Sequence, residues 1–117
     1  MTPEELKART KSFALRIIKL VGTLPNDNAA RIMGNQVLRS ATSVGANYRA
    51  ACRAQSRATF ASKLAVVIEE ADETLYWLEL LGESGRVKTE LLKDLQKEGS
   101  EIVAIVTASR KTTQNRG

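Results

Sequence analysis

Residues 34–57, GNQVLRSATSVGANYRAACRAQSR, decide the fold of this 117-residue chain. Gly34, Val37, Ala41, Val44, Tyr48 and Ala51 recur at alternating spacings of three and four. That is the heptad seam of a helix packed along its length against other helices. Small residues fill the seam and its flanks: Gly34, Ser40, Ala41, Gly45 and Ala51. Each mid-helix glycine costs about 1 kcal/mol relative to alanine, and close approach of a neighbouring helix offsets that cost. Away from the seam, at 100° per residue, Arg31, Arg39, Arg49, Arg53 and Arg57 fall within about 80° of arc.

Working outward, the rest of the chain reads as helix that covers this seam. Thr2-Pro3-Glu4-Glu5 is a helix start: Thr2 caps, Pro3 suits the first helical position, and Glu5 completes a capping box. Leu6, Phe13, Ile17, Leu20 and Leu24 then mark one face of a first helix over roughly 3–22, ended by Gly22 and Pro25. Asn26-Asp27 caps the second helix, roughly 27–54. Ser56 caps a third, roughly 57–82, whose seam is Phe60, Leu64, Val67, Ala71, Leu75, Leu78 and Leu81. A fourth, roughly 88–111, carries Leu92, Leu95, Gly99, Ile102, Val106 and Ser109, with Leu91, Val103 and Ile105 widening the stripe. Residues 112–117 lack periodicity and are expected to form a disordered tail. Residues 1–111 are therefore expected to be one all-α domain, an antiparallel up-down-up-down four-helix bundle.

Composition excludes several classes of chemistry. There is no histidine, which removes the commonest general acid/base. The single Cys52 forbids an intrachain disulfide and, without histidine, a Cys/His metal site. Beside the seam and with no base to activate it, Cys52 reads as a packed small hydrophobe. No phosphate-binding glycine loop, zinc spacing or nucleophile elbow is present, so no cofactor and no enzymatic activity are expected. The longest wholly aliphatic run, Leu64–Ile68, is far short of the roughly 20 residues of a membrane helix. With no signal-peptide pattern either, no membrane partner and a cytoplasmic location are expected.

Charge supplies the positive hint. Residues 1–57 carry ten Lys/Arg against three Asp/Glu, residues 58–85 one against six, and residues 86–117 seven against four. A basic–acidic–basic order suits helices that neutralise their neighbours, and equally a single basic surface. The five arginines can donate bidentate hydrogen bonds to phosphates and are the candidate nucleic-acid contacts. The alternative is that carboxylates of a neighbouring helix or subunit consume them. Glu70, Glu73 and Trp77 form a separate flank of the third helix at i, i+3, i+7, suited to a helix or subunit contact. Glu69, Asp72, Glu79 and Glu83 face away from the seam. Ser40, Ser43 and Asn47 flank the second seam; mid-helix polar residues of this kind need hydrogen-bond partners, between helices or between subunits. These six, Ser40, Ser43, Asn47, Glu70, Glu73 and Trp77, are the candidate oligomer contacts.

Leu38-Arg39-Ser40-Ala41-Thr42-Ser43-Val44-Gly45-Ala46-Asn47, Phe60-x-x-Lys63-Leu64 and the run from Glu69 to Leu81, EEADETLYWLELL, together resemble the bacterial 23S rRNA intervening-sequence proteins. The likeness extends over roughly residues 5–110. It implies a four-helix bundle that assembles into a ring-like homopentamer, with no enzymatic activity attached. A similar basic pentameric bundle, the accessory variability protein of diversity-generating retroelements, binds nucleic acid and its reverse transcriptase. One departure stands out: where many members read Asn-Ile-Ala-Glu-Gly, this chain reads Asn47-Tyr48-Arg49-Ala50-Ala51. A carboxylate is lost and an arginine gained. The expected function is a non-enzymatic homo-oligomer binding RNA or DNA non-specifically through its basic surface. The alternative is a structural or adaptor oligomer that holds a protein partner, with its arginines used in subunit contacts.

Overall fold

The computed structural model describes residues 1–116, and these form four helices: α1 (Pro3–Val21), α2 (Asn28–Cys52), α3 (Arg57–Glu83) and α4 (Thr89–Arg116). Each start has a local chemical cause. At α1 the Thr2 hydroxyl accepts from the Glu5 N–H (3.1 Å) while the Thr2 N–H donates to the Glu5 carboxylate (3.2 Å). That reciprocal pair satisfies two backbone donors and holds the Glu5 carboxyl below its ordinary range. The Asp27 carboxylate accepts from Ala30 N–H at 2.9 Å to start α2, and the Ser56 hydroxyl accepts from Thr59 N–H at 3.1 Å to start α3. α3 runs through Gly82 to Glu83 with Ser84 as its cap, and the chain turns at Gly85, whose φ of +76° is left-handed backbone that glycine adopts without a Cβ penalty.

The helices run antiparallel around a square. Gly45 of α2 lies against Thr10 of α1, whereas Gly34, earlier in α2, lies against Val21, later in α1. A Cβ on Gly45 would sit 3.2 Å from the Thr10 hydroxyl, so the glycine is what lets the two backbones close here. At the other side, Arg110 of α4 reaches the Ala61 carbonyl near the start of α3. α2 packs on α3, α3 on α4 and α1 on α2, while α1 and α4 touch least. The body measures 47 × 21 × 20 Å, which accommodates four antiparallel helices of this length at 1.5 Å per residue.

The core is the expected one. Leu6, Phe13, Ile17, Val37, Ala41, Val44, Leu64, Val67, Leu78, Leu81, Leu92, Ile102 and Val106 are buried, and Cys52 packs half-buried against them. Two expectations need correction. Leu91 does not widen the α4 stripe; it stands 64% exposed at the start of the helix. The expected tail is not disordered over 112–116: α4 continues through them to Arg116. α3 is long enough to support the extra turns, and the Arg57 guanidinium donates to the Arg116 carbonyl. Thr112 and Thr113 hydroxyls bond back to Ala108 and Ser109 carbonyls, at 3.0 and 2.9 Å. Gly117 lies outside the described residues.

Candidate nucleic-acid interface

The five-arginine arc divides once it is folded. Arg39 leans toward α3, where its guanidinium donates to Glu70 (3.1 Å) and to Glu73. Those two carboxylates, expected at a helix or subunit contact, meet this arginine across the α2–α3 contact inside the protomer. Arg31 bonds the Asn28 side chain at 3.1 Å, near the start of α2. Arg49 and Arg53, in the last turns of α2, are exposed and make no ion pair or hydrogen bond among the described residues. Arg57 opens α3 beside them.

What the wheel projected around one helix, the fold separates along its length. Antiparallel packing brings the start of α1, the end of α2, the start of α3 and the end of α4 to one end of the bundle. The segments 1–11, 44–67 and 102–116 that build this end hold ten Lys/Arg and two Asp/Glu. The remaining segments hold eight Lys/Arg and eleven Asp/Glu. Lys7, Lys11, Lys63, Arg110, Lys111 and Arg116 thus join Arg49, Arg53 and Arg57, while Arg31 and Arg39 lie toward the other end. Helix-wheel reasoning on the second helix missed those six, but a signal was present: residues 28–68 and 102–117 contain no Asp or Glu at all.

On one side of this end, Lys7 and Lys11 of α1 face Arg49 of α2 across a groove of about 230 Å³ floored by Ala14, Gly45 and Ala46. Lys7 is only loosely held, by the exposed Glu4 at 3.3 Å. Among the described residues the most fully neutralised cation at this end is Arg9. Its guanidinium forks onto Glu98 (two contacts of 2.7 Å) and reaches Glu101 at 2.8 Å, joining α1 to α4. The hydrogen bonds from Arg9 hold the Glu98 carboxyl below its usual range. At the opposite end Asp27 is likewise held low, first by the Ala30 N–H and then by Arg86.

Of the remaining expected oligomer contacts, Ser40, Ser43 and Asn47 have hydrogen-bond partners within the protomer. Ser40 is fully buried, so it cannot reach a second subunit; it receives a 2.9 Å hydrogen bond from the Thr74 hydroxyl of α3. Ser43 donates to the Arg39 carbonyl and Asn47 to the Ser43 carbonyl, both at 2.8 Å within α2. Trp77 packs half-buried against the core and edge-on to Tyr76, ring centres 5.3 Å apart. Its indole N–H is buried without a partner among the described residues. Tyr48 is buried beside Cys52, and that burial pushes its phenol pKa up.

This bundle and its charge separation can be set beside known proteins. The family model described as 23S rRNA-intervening sequence protein matches residues 4–108. The chain belongs to that family. A crystal structure from Bacteroides thetaiotaomicron VPI-5482, a protein with unknown function from the S23 ribosomal protein family, is 40% identical to this 23S rRNA-intervening sequence protein. The match covers 91% of this chain and 98% of that one, with a TM-score of 0.85. No curated protein matches. Within this family member, Arg49, the arginine gained relative to the Asn-Ile-Ala-Glu-Gly pattern, is the α2 side of the basic groove. No described helix is long and apolar enough to cross a membrane.

Proposed function

We propose that this protein is a non-enzymatic homo-oligomer that holds RNA or DNA through phosphates laid on its basic end. The observation that carries the reading is the segregation of charge along the bundle. Arg49, Arg53 and Lys111 are exposed there with no Asp or Glu carboxylate against them among the described residues, so a phosphate laid on them meets no competing acidic side chain. Such contacts are insensitive to base sequence and strongly sensitive to salt, because each neutralised phosphate releases a counterion. Self-association draws support from Leu15, Ile18 and Ile32, apolar side chains 47–57% exposed on α1 and α2, together with the ring implied by the family resemblance.

Fluorescence anisotropy with a generic RNA across a salt series tests the proposal. Affinity should fall along a log–log slope that flattens by about three when Arg49, Arg53 and Lys111 are all replaced by alanine, about one per lost phosphate contact. Arg39→Ala should leave binding in place, since Arg39 is already occupied by Glu70 and Glu73. Light scattering after size exclusion reads assembly in the same samples. An intact oligomer that no longer binds RNA supports the proposal. No binding by the wild type at low salt, or a triple variant that falls apart into protomers, would overturn it.

A further inference from the structure

We infer that the basic end takes double-helical nucleic acid in preference to single strands; the inference rests on the function just proposed. Single-strand binders combine a positive groove with exposed aromatic rings, and each stacked base contributes about 1–3 kcal/mol. Among the described residues this end offers no fully exposed ring. The chain has five aromatic residues. Phe13 and Tyr48 are buried, and Phe60, half-buried against the core, borders an open hollow beside Arg57 and Arg116 without standing clear of the surface. Tyr76 and Trp77 stand in the other half of the bundle, on the part of α3 that carries Glu69, Asp72, Glu73 and Glu79.

Between the cations many exposed side chains are short, among them Ala58, Thr59, Ser62, Thr107, Ala108 and Thr112. Ala58 and Ser62 border an open hollow of about 530 Å³ between Arg57 and Arg110, against which a regular phosphate backbone can rest. The cations are distributed over the ends of all four helices, across a face about 20 Å wide. At one charge per 1.7 Å of duplex axis, a length of double helix matching this face carries about twelve phosphates on its two strands together, against about six on a single strand at 3.4 Å. With binding left to phosphate contacts alone, the ligand of higher charge density is favoured. A rigid duplex also loses less conformational freedom on binding than a flexible strand does.

Competition anisotropy on the intact wild-type protein decides the matter, using an A/U RNA duplex of about 20 base pairs and its two separate homopolymer strands at equal phosphate concentration. The duplex should bind at least about tenfold more tightly than either strand, with the steeper salt slope. Phe60→Leu should leave both affinities within about twofold, because no base stacks on that ring. Strands that bind as tightly as the duplex, or a selective loss of strand binding in Phe60→Leu, would overturn the inference while leaving the proposed function standing. Absence of binding by duplex and strands alike at low salt would instead overturn the proposed function.

Discussion

Ser40 and Thr74 are two hydroxyls that meet inside the α2–α3 interface, and both are fully buried. Each also has a partner on its own helix: Ser40 donates to the Val37 carbonyl at 3.3 Å, and Thr74 lies 2.8 Å from the Glu70 carbonyl. The pair is therefore closed, and breaking it from one side leaves a hydroxyl with less than its full set of partners. Ser40→Ala should cost about 1 kcal/mol in denaturant unfolding. Combining Ser40→Ala with Thr74→Val removes both polar groups at nearly constant shape and should recover most of that loss. Additive losses in the double variant would show that the hydroxyls act separately. At Gly85 the argument is backbone alone, since a Cβ there would meet nothing within 4 Å yet φ is +76°. Gly85→Ala should destabilise the fold by about 1 kcal/mol through the left-handed conformation, read as a lowered urea midpoint with unchanged slope.

Among the helices, α1 has the weakest hold on α4, and Arg9 is the main polar link between them. Its side chain and that of Glu98 are mostly buried, 23% and 18% exposed, whereas Glu101 is 46% exposed. Arg9→Ala should cost about 1–2 kcal/mol at neutral pH, the contribution of charged hydrogen bonds discounted for partial solvent screening. The pH dependence has a definite sign. Glu98 titrates lower in the folded protein than the ordinary glutamate value of about 4.3. Its contribution is complete above that ordinary value and disappears as pH falls through the lowered folded value. Wild type and Arg9→Ala should accordingly converge in stability in acid and differ most near neutrality. A constant gap across the titration would assign the loss to packing of the arginine stem instead.

On the scale of the whole molecule, the two ends of a 47 Å body behave as separate electrostatic objects. The Debye length at physiological salt is about 8 Å, so carboxylates at the far end are screened from a ligand on the basic end. Glu79→Gln with Glu83→Gln, exposed late in α3, raises net charge by the removal of two carboxylates. It should change RNA affinity less than about twofold at 0.15 M salt, although the gap should widen in dilute buffer. An increase as large at physiological salt as the loss caused by Arg49→Ala with Arg53→Ala would mean that net charge, and not the basic end, governs binding.

The sequence by itself determined the four helices, their caps and the faces they bury, because these depend on spacing and on short-range hydrogen bonds. Thr2, Asp27 and Ser56 cap where their side chains reach the next turn, and Val37, Ala41 and Val44 point inward by period alone. Cross-helix pairing was decided only by tertiary structure. A wheel places Arg39 and Arg49 in one arc, yet Arg39 lies within reach of Glu70 and Glu73 while Arg49 faces Lys7 and Lys11. Ser40 likewise finds its partner in Thr74, 34 residues away. The extra turns of α4 depend on Arg57 and Ala61 of another helix, which no local pattern encodes. The basic end belongs to the same class: its cations are scattered between residues 7 and 116, and only antiparallel packing brings them together.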